Sequence, residues 1–128
     1  PYKDKYEALI MASIVEKEAL TEKERKLVAG VFLNRLAKGM KFESDVTVNY
    51  ATGKKTTSPA DLSVNSPYNT YKIVGLPPTP INNPSTDSVE AVLNYTPNDY
   101  IFFIAGNDGV VYYAKTLSEH NQNIKNHL

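Results

Sequence analysis

The chain contains no cysteine, which removes both a disulfide framework and a thiolate zinc site. Its two histidines, His120 and His127, are not spaced as a metal pair, so no metal is expected. Fourteen basic residues cancel fourteen acidic ones, and no basic stripe stands out. Nucleic acid is therefore not an expected partner. No segment resembles a signal peptide or a membrane span. A P-loop, a Rossmann glycine pattern, a G-x-S-x-G elbow and a zinc signature are all missing, and no cofactor is expected. The abrupt opening at Pro1-Tyr2-Lys3 suggests a domain excised from a longer protein.

What remains is a chain of 128 residues, a length that fits one domain with one core. Hydrophobic content is 41% and charged content 22%, both ordinary for a globular protein. Nine tyrosines stand against four phenylalanines. A tyrosine joins a flat apolar face to a polar tip, which suits a wet groove for sugars or peptides and equally suits amphipathic boundary packing.

Helix signals open the chain. Asp4 with Glu7 forms an acidic capping box, followed by a mostly apolar run to Leu20. Thr21-Glu22-Lys23-Glu24 is a clearer box, and Leu27, Val28, Val31, Phe32 and Leu36 recur at helical spacing up to a stop at Gly39. Two helices joined at Leu20-Thr21 imply a sharp corner. From Met40 to Pro84 the character changes, with six of the eight prolines and few helix formers. Phe42–Tyr50 is β-branched enough to predict a short strand, and the rest predicts loop. An idle loop of about 45 residues is unusual in a small domain, so this one is expected to be functional. After Pro84 the pattern predicts a short helix capped by Asp87 and Glu90, a β-hairpin from Tyr100–Ala105 and Val110–Ala114 around an Asp-Gly turn, and a last helix opened by Thr116-Leu117-Ser118-Glu119. The order predicts an α+β fold: two N-terminal helices, a long irregular segment with short strands, a short helix, a β-hairpin and a C-terminal helix.

One residue carries the chemistry. In the first helix Leu9, Ile10, Met11, Ile14 and Val15 spread around most of the circumference, the mark of a buried helix. Glu16 sits on it. A buried carboxylate needs a partner or a raised pKa, and a raised pKa suits a general acid. The plainer reading is an ion pair from Glu16 to Arg25 or Arg35. Glu18, about 200° further round the helix, cannot easily act as a pair with Glu16 and is expected to pair with a basic residue.

Several segments resemble a known family. Ala12-Ser13-Ile14-Val15-Glu16-Lys17-Glu18 looks like the signature helix of the YceG-like (MltG) family of endolytic murein transglycosylases. So do Val28 to Leu36, Gly39-Met40, Ser44-Asp45, Ser66 to Tyr71, Gly75 to Pro78 and Glu119-His120-Asn121. The resemblance covers nearly the whole chain in motif order. It departs at Val46 and Thr79, where the family has proline and glycine, and both changes bear on loop shape. The resemblance implies one catalytic domain, residues 1–128, from a membrane-anchored protein at the extracytoplasmic face of the bacterial cell membrane. Its partners would be peptidoglycan glycan strands and cell-wall synthesis proteins. Glu16 would be the catalytic acid. Asp45, Tyr68, Asn69, Thr70, Tyr71, Pro77 and Pro78 would bind substrate or shape its groove, with Glu18, Arg35, His120 and Asn121 in support. The implied reaction cleaves the β-1,4 bond between N-acetylmuramic acid and N-acetylglucosamine without water. The muramyl C6 hydroxyl is the nucleophile, so one carboxylate suffices. Two alternatives stay open: a hydrolytic muramidase using Asp45 as second carboxylate, and a non-catalytic glycan-binding domain.

Overall fold

A computed structural model describes residues 1–128. The element order is α1 (Lys5–Glu18), α2 (Glu22–Ala37), α3 (Asp45–Thr52), a short 3-10 helix (Pro59–Ser63), α4 (Thr86–Leu93), β1 (Phe102–Ala105), β2 (Val111–Ala114) and α5 (Leu117–His127). The two strands form one antiparallel sheet, with Phe102 opposite Ala114 and Ala105 opposite Val111. The α+β class is as expected from the sequence.

The helix starts are where side-chain caps dictate. Asp4 accepts the Glu7 N–H at 3.0 Å and Thr21 accepts that of Glu24 at 3.2 Å. Thr116 and Glu119 complete a capping box on α5. Each such cap is worth about 1 kcal/mol. α4 begins at Thr86 under Ser85 as cap, slightly before the Asp87 start expected. Gly39, at φ +69°, follows the end of α2 as the expected stop.

α1 is the spine. Ala8, Ile10, Met11, Ala12, Ile14 and Val15 are buried, and among its large apolar and aromatic residues only Tyr6 and Leu9 reach solvent. Burial of each large side chain contributes about 1.5–3 kcal/mol. α1 packs against α4 and α2, and the shared core includes Val28, Ala29, Phe32 and Val92. The corner at Ala19–Thr21 is tight: Arg25 Nε, one turn into α2, donates to the Ala19 carbonyl at 3.0 Å.

The expected short strand in Phe42–Tyr50 is absent. Residues 45–52 form α3 instead. Asp45 lies in the first turn, where a carboxylate complements the helix dipole, and Gly53, at φ +76°, closes the helix in the left-handed conformation. These end signals and burial of Thr47 and Val48 outweigh the β propensity of Val46, Thr47 and Val48. The Met40–Pro84 segment thus holds α3 and a 3-10 helix, and no strands. Its proline-rich part is tied to α1. The buried Ser13 hydroxyl accepts the Ile81 N–H at 3.0 Å, and Asn82 Nδ2 donates to the Ser13 carbonyl at 2.8 Å.

α2 reaches the hairpin through asparagines. Asn34 Nδ2 donates to the carbonyls of Asn98 (2.7 Å) and Tyr100 (2.8 Å), and Asn98 Nδ2 returns to Leu27. Gly30 makes this close approach feasible. A Cβ there would lie 2.6 Å from the Thr96 carbonyl oxygen and 2.5 Å from Asn98 Nδ2. Gly30→Ala is therefore expected to destabilise the fold by about 1–3 kcal/mol, the usual cost of overpacking. Urea unfolding of the two proteins checks this, with equal midpoints the contrary result.

Candidate active site

The last turn of α1 carries Glu16 and Glu18, and their environments are opposite. Glu16 points to the N-terminus of α4. Its Oε1 accepts the Ser85 N–H at 2.7 Å and the Ser88 hydroxyl at 3.0 Å, and its Oε2 meets Arg25 Nη2 at 3.3 Å. The Ser85 backbone bond, the largest cause, holds the Glu16 pKa below the ordinary value. The raised pKa expected from the sequence is thus corrected. The carboxylate is partnered on both oxygens and caps a helix end, which favours its charged form. The ion pair with Arg25, the plainer reading, is present.

Glu18 is half-buried and faces a cavity of about 610 Å³. The basic partner expected for it is absent: no Lys or Arg nitrogen lies within 4.0 Å of its carboxylate. Its one hydrogen bond comes from the Ser44 hydroxyl, at 3.0 Å to Oε2. Burial pushes the Glu18 pKa up to about 7, the Ser44 bond opposes the shift, and the nearby Asp45 carboxylate adds to it. A carboxyl half-protonated near neutral pH can both give and take a proton.

The same cavity is lined by Arg35, Asp45, Tyr71, His120 and Asn121, so five further residues singled out from the sequence meet Glu18 there. Tyr71 donates its hydroxyl to Asp45 Oδ1 at 2.6 Å, and burial with the Asp45 charge pushes the phenol pKa up. Arg35 is a clamp. Its Nε donates to the Ile101 carbonyl at 2.7 Å and its Nη1 to that of Lys41 at 2.9 Å, and it pairs with Glu43 at 3.6 Å. His120 stacks on Phe102 with centroids 4.8 Å apart, and its Nδ1 is buried without a protein partner. Burial, then the Arg35 charge, lowers the His120 pKa. Phe42 and Phe103 form the apolar floor, each packed on Phe32.

The other residues expected to contact substrate lie elsewhere. Asn69 is fully buried and spends its amide on the Leu62 and Val64 carbonyls and the Tyr71 N–H. Thr70 is fully buried and accepts the Ser44 N–H at 2.9 Å. Tyr68 bonds Thr79 at 2.7 Å and packs at a tilt against Tyr50. Pro77 is buried, Pro78 is exposed, and neither lines the cavity. Of Ser66–Tyr71 and Gly75–Pro78, only Tyr71 reaches it. Asn69 and Thr70 serve the cavity indirectly, because they hold Tyr71 and the Glu43–Asp45 corner in place.

Two contributors escaped the sequence reading. Ser44 appeared only as a motif letter, yet its hydroxyl bonds Glu18 instead of capping α3. Glu43 lines the cavity with φ +52°, the only positive φ outside glycine. No sequence signal marks either role.

The YceG-like family model matches residues 1–126. The chain belongs to the YceG-like family. It is 42% identical over 130 residues to a Streptococcus pneumoniae protein named endolytic murein transglycosylase, covering 95% of this chain and 24% of that protein. A Bacillus subtilis protein of the same name is 45% identical over 119 residues, covering 91% of this chain and 33% of that one. The crystal structure of a putative YceG-like protein from Listeria monocytogenes matches with a TM-score of 0.87 at 50% identity, over 91% of this chain and 39% of that one. The chain thus spans a quarter to a third of the length of these curated relatives. No helix in it is long and apolar enough to cross a membrane.

The Glu16 bonds yield a stability prediction with a definite sign. A carboxyl whose folded pKa is depressed stabilises the fold above its unfolded pKa, near 4.5, and loses that contribution as pH falls through the folded value. Glu16→Gln should therefore be less stable than the parent at pH 7, and the gap should narrow below about pH 4. Thermal unfolding at both pH values checks this; a gap that is constant or widens in acid is the contrary result.

Proposed function

We propose that the chain is the catalytic unit of a peptidoglycan lytic transglycosylase with Glu18, not Glu16, as its acid. It would act within glycan strands outside the bacterial cell membrane. The observation that carries the assignment is the contrast at the end of α1. Glu16 is held ionised by three donors. Glu18 has no cation partner, a pKa near 7 and a place in the cavity with Asp45, Tyr71, His120 and Asn121. The names of the relatives support the substrate class.

In this reading the Glu18 carboxyl protonates the glycosidic oxygen and the muramyl C1–O bond breaks. The resulting carboxylate takes the proton from the muramyl C6 hydroxyl, whose oxygen closes onto C1. Products are an N-acetylglucosamine hydroxyl end and a 1,6-anhydromuramyl end, and Glu18 is again protonated. No water is consumed. Tyr71 holds Asp45 at the rim, where the pair can bond sugar hydroxyls or acetamido groups. The presence of Asp45 in the same cavity favours one second reading, a muramidase that activates water. Mass spectrometry of the products separates them: anhydro ends support transglycosylation, and a gain of one water supports hydrolysis.

Glu18→Gln should lower cleavage of purified strands at least a hundredfold, while Glu16→Gln retains most of it. The reverse ranking would return the role to Glu16. The reaction needs Glu18 protonated, so activity should fall as pH rises through about 7. Ser44→Ala removes the bond that lowers this pKa and should move the alkaline limb upward. An unmoved limb would detach that limb from Glu18. Tyr71→Ala should cost at least tenfold in kcat/KM, about 1.4 kcal/mol, without unfolding the domain. Normal turnover would remove Tyr71 from the site.

A further inference from the structure

A second cavity, of about 680 Å³, is lined by residues of the same two helices, α1 and α3. Glu18 and Asp45 line one cavity, and their chain neighbours Lys17 and Val46 line the other. The last turn of α1 and the first turn of α3 thus each contribute to both cavities. The second cavity carries Lys17, Lys54 and Lys55 and no acidic residue, in a chain of zero formal net charge. Lys54 is held by Asp61 at 2.9 Å. Lys17 and Lys55 form no ion pair and leave two cations unneutralised.

The remaining walls suit amides and methyl groups more than a bare inorganic anion. Tyr50 is 47% exposed at the rim, with its ring fixed against Tyr68 at 4.8 Å. Asn49 and Asn82 bring side-chain amides to the lining, and Asn82 Oδ1 accepts from no protein group. Ile81 and Val46 supply apolar surface.

We infer that this second cavity binds the acidic peptide stem of a muramyl residue, its carboxylates meeting Lys17 and Lys55 while the sugar lies at Glu18. This rests on the proposed substrate. The stem leaves the muramyl ring through its lactyl group, and the same turns of α1 and α3 that carry Glu18 and Asp45 also carry Lys17 and Val46. The device would let the enzyme distinguish strands that carry peptides from bare glycan.

The test compares the chain with its Lys17→Glu/Lys55→Glu double variant, leaving Lys54 to hold Asp61. Both lysines are exposed and outside the Glu18 cavity. Calorimetry with a soluble muramyl pentapeptide, which has no bond to cleave, reads binding alone. The variant should bind at least tenfold more weakly. On peptide-bearing strands its KM should rise at least tenfold, and on strands stripped of peptide its KM and kcat should match the parent. Equal affinity for the muramyl pentapeptide, or no binding by the parent, overturns the inference. So does an equal KM rise on stripped strands, which would assign the lysines to the glycan. If the parent binds the muramyl pentapeptide with the stated lysine dependence but cleaves neither strand, the proposed reaction fails and the binding site stands.

Discussion

The structure depends on one constraint: a carboxylate brought against an apolar core must be either partnered or neutralised. The last turn of α1 meets both conditions at once. Glu16 is partnered, and its bonds to Ser85, Ser88 and Arg25 fasten the N-termini of α4 and α2 to the spine. Hydrogen bonds to a charged group contribute about 1.5–3 kcal/mol each, so this junction ranks among the stronger polar contacts of the fold. Glu18 faces the other way and is given no cation. Burial then favours its neutral form, which leaves a proton available at the cavity wall.

The cleft walls are built by polar side chains spent on the backbone. Arg35 spans three carbonyls, at Lys41, Phe42 and Ile101, and so joins the loop before α3 to the approach to β1. Asn69 and Thr70 do the same for the far wall. A buried irregular segment must satisfy its N–H and C=O groups without helix or sheet partners, and these residues supply them. The long middle segment is therefore rigid where it matters, and it brings Asp45 and Tyr71 together from 26 residues apart.

Local rules are broken at the cavity. Ser44 gives its hydroxyl to Glu18 and forgoes capping α3, a loss of about 1 kcal/mol. Glu43 adopts a left-handed conformation that costs of order 1 kcal/mol without glycine. His120 keeps a buried nitrogen without a partner. Departures of this kind are commonest at functional sites.

Four of the five α-helices and the hairpin were legible from the chain because capping boxes, glycine stops and a 3.6-residue period are local signals. So were six of the cavity residues, Glu18, Arg35, Asp45, Tyr71, His120 and Asn121, as members of recurring motifs. Their shared location, and the different surroundings of the two glutamates, were not. Helical geometry states that Glu16 and Glu18 point apart, but not which of them meets a helix end and which a cavity. That is decided by α4, some 70 residues further along, and by Ser44 on another element. The turn of Asn69 and Thr70 inward, and of Phe42–Tyr50 from strand to helix, has the same origin. Pairing, burial and pKa depend on what packs against a residue, and only the tertiary structure brings those neighbours together.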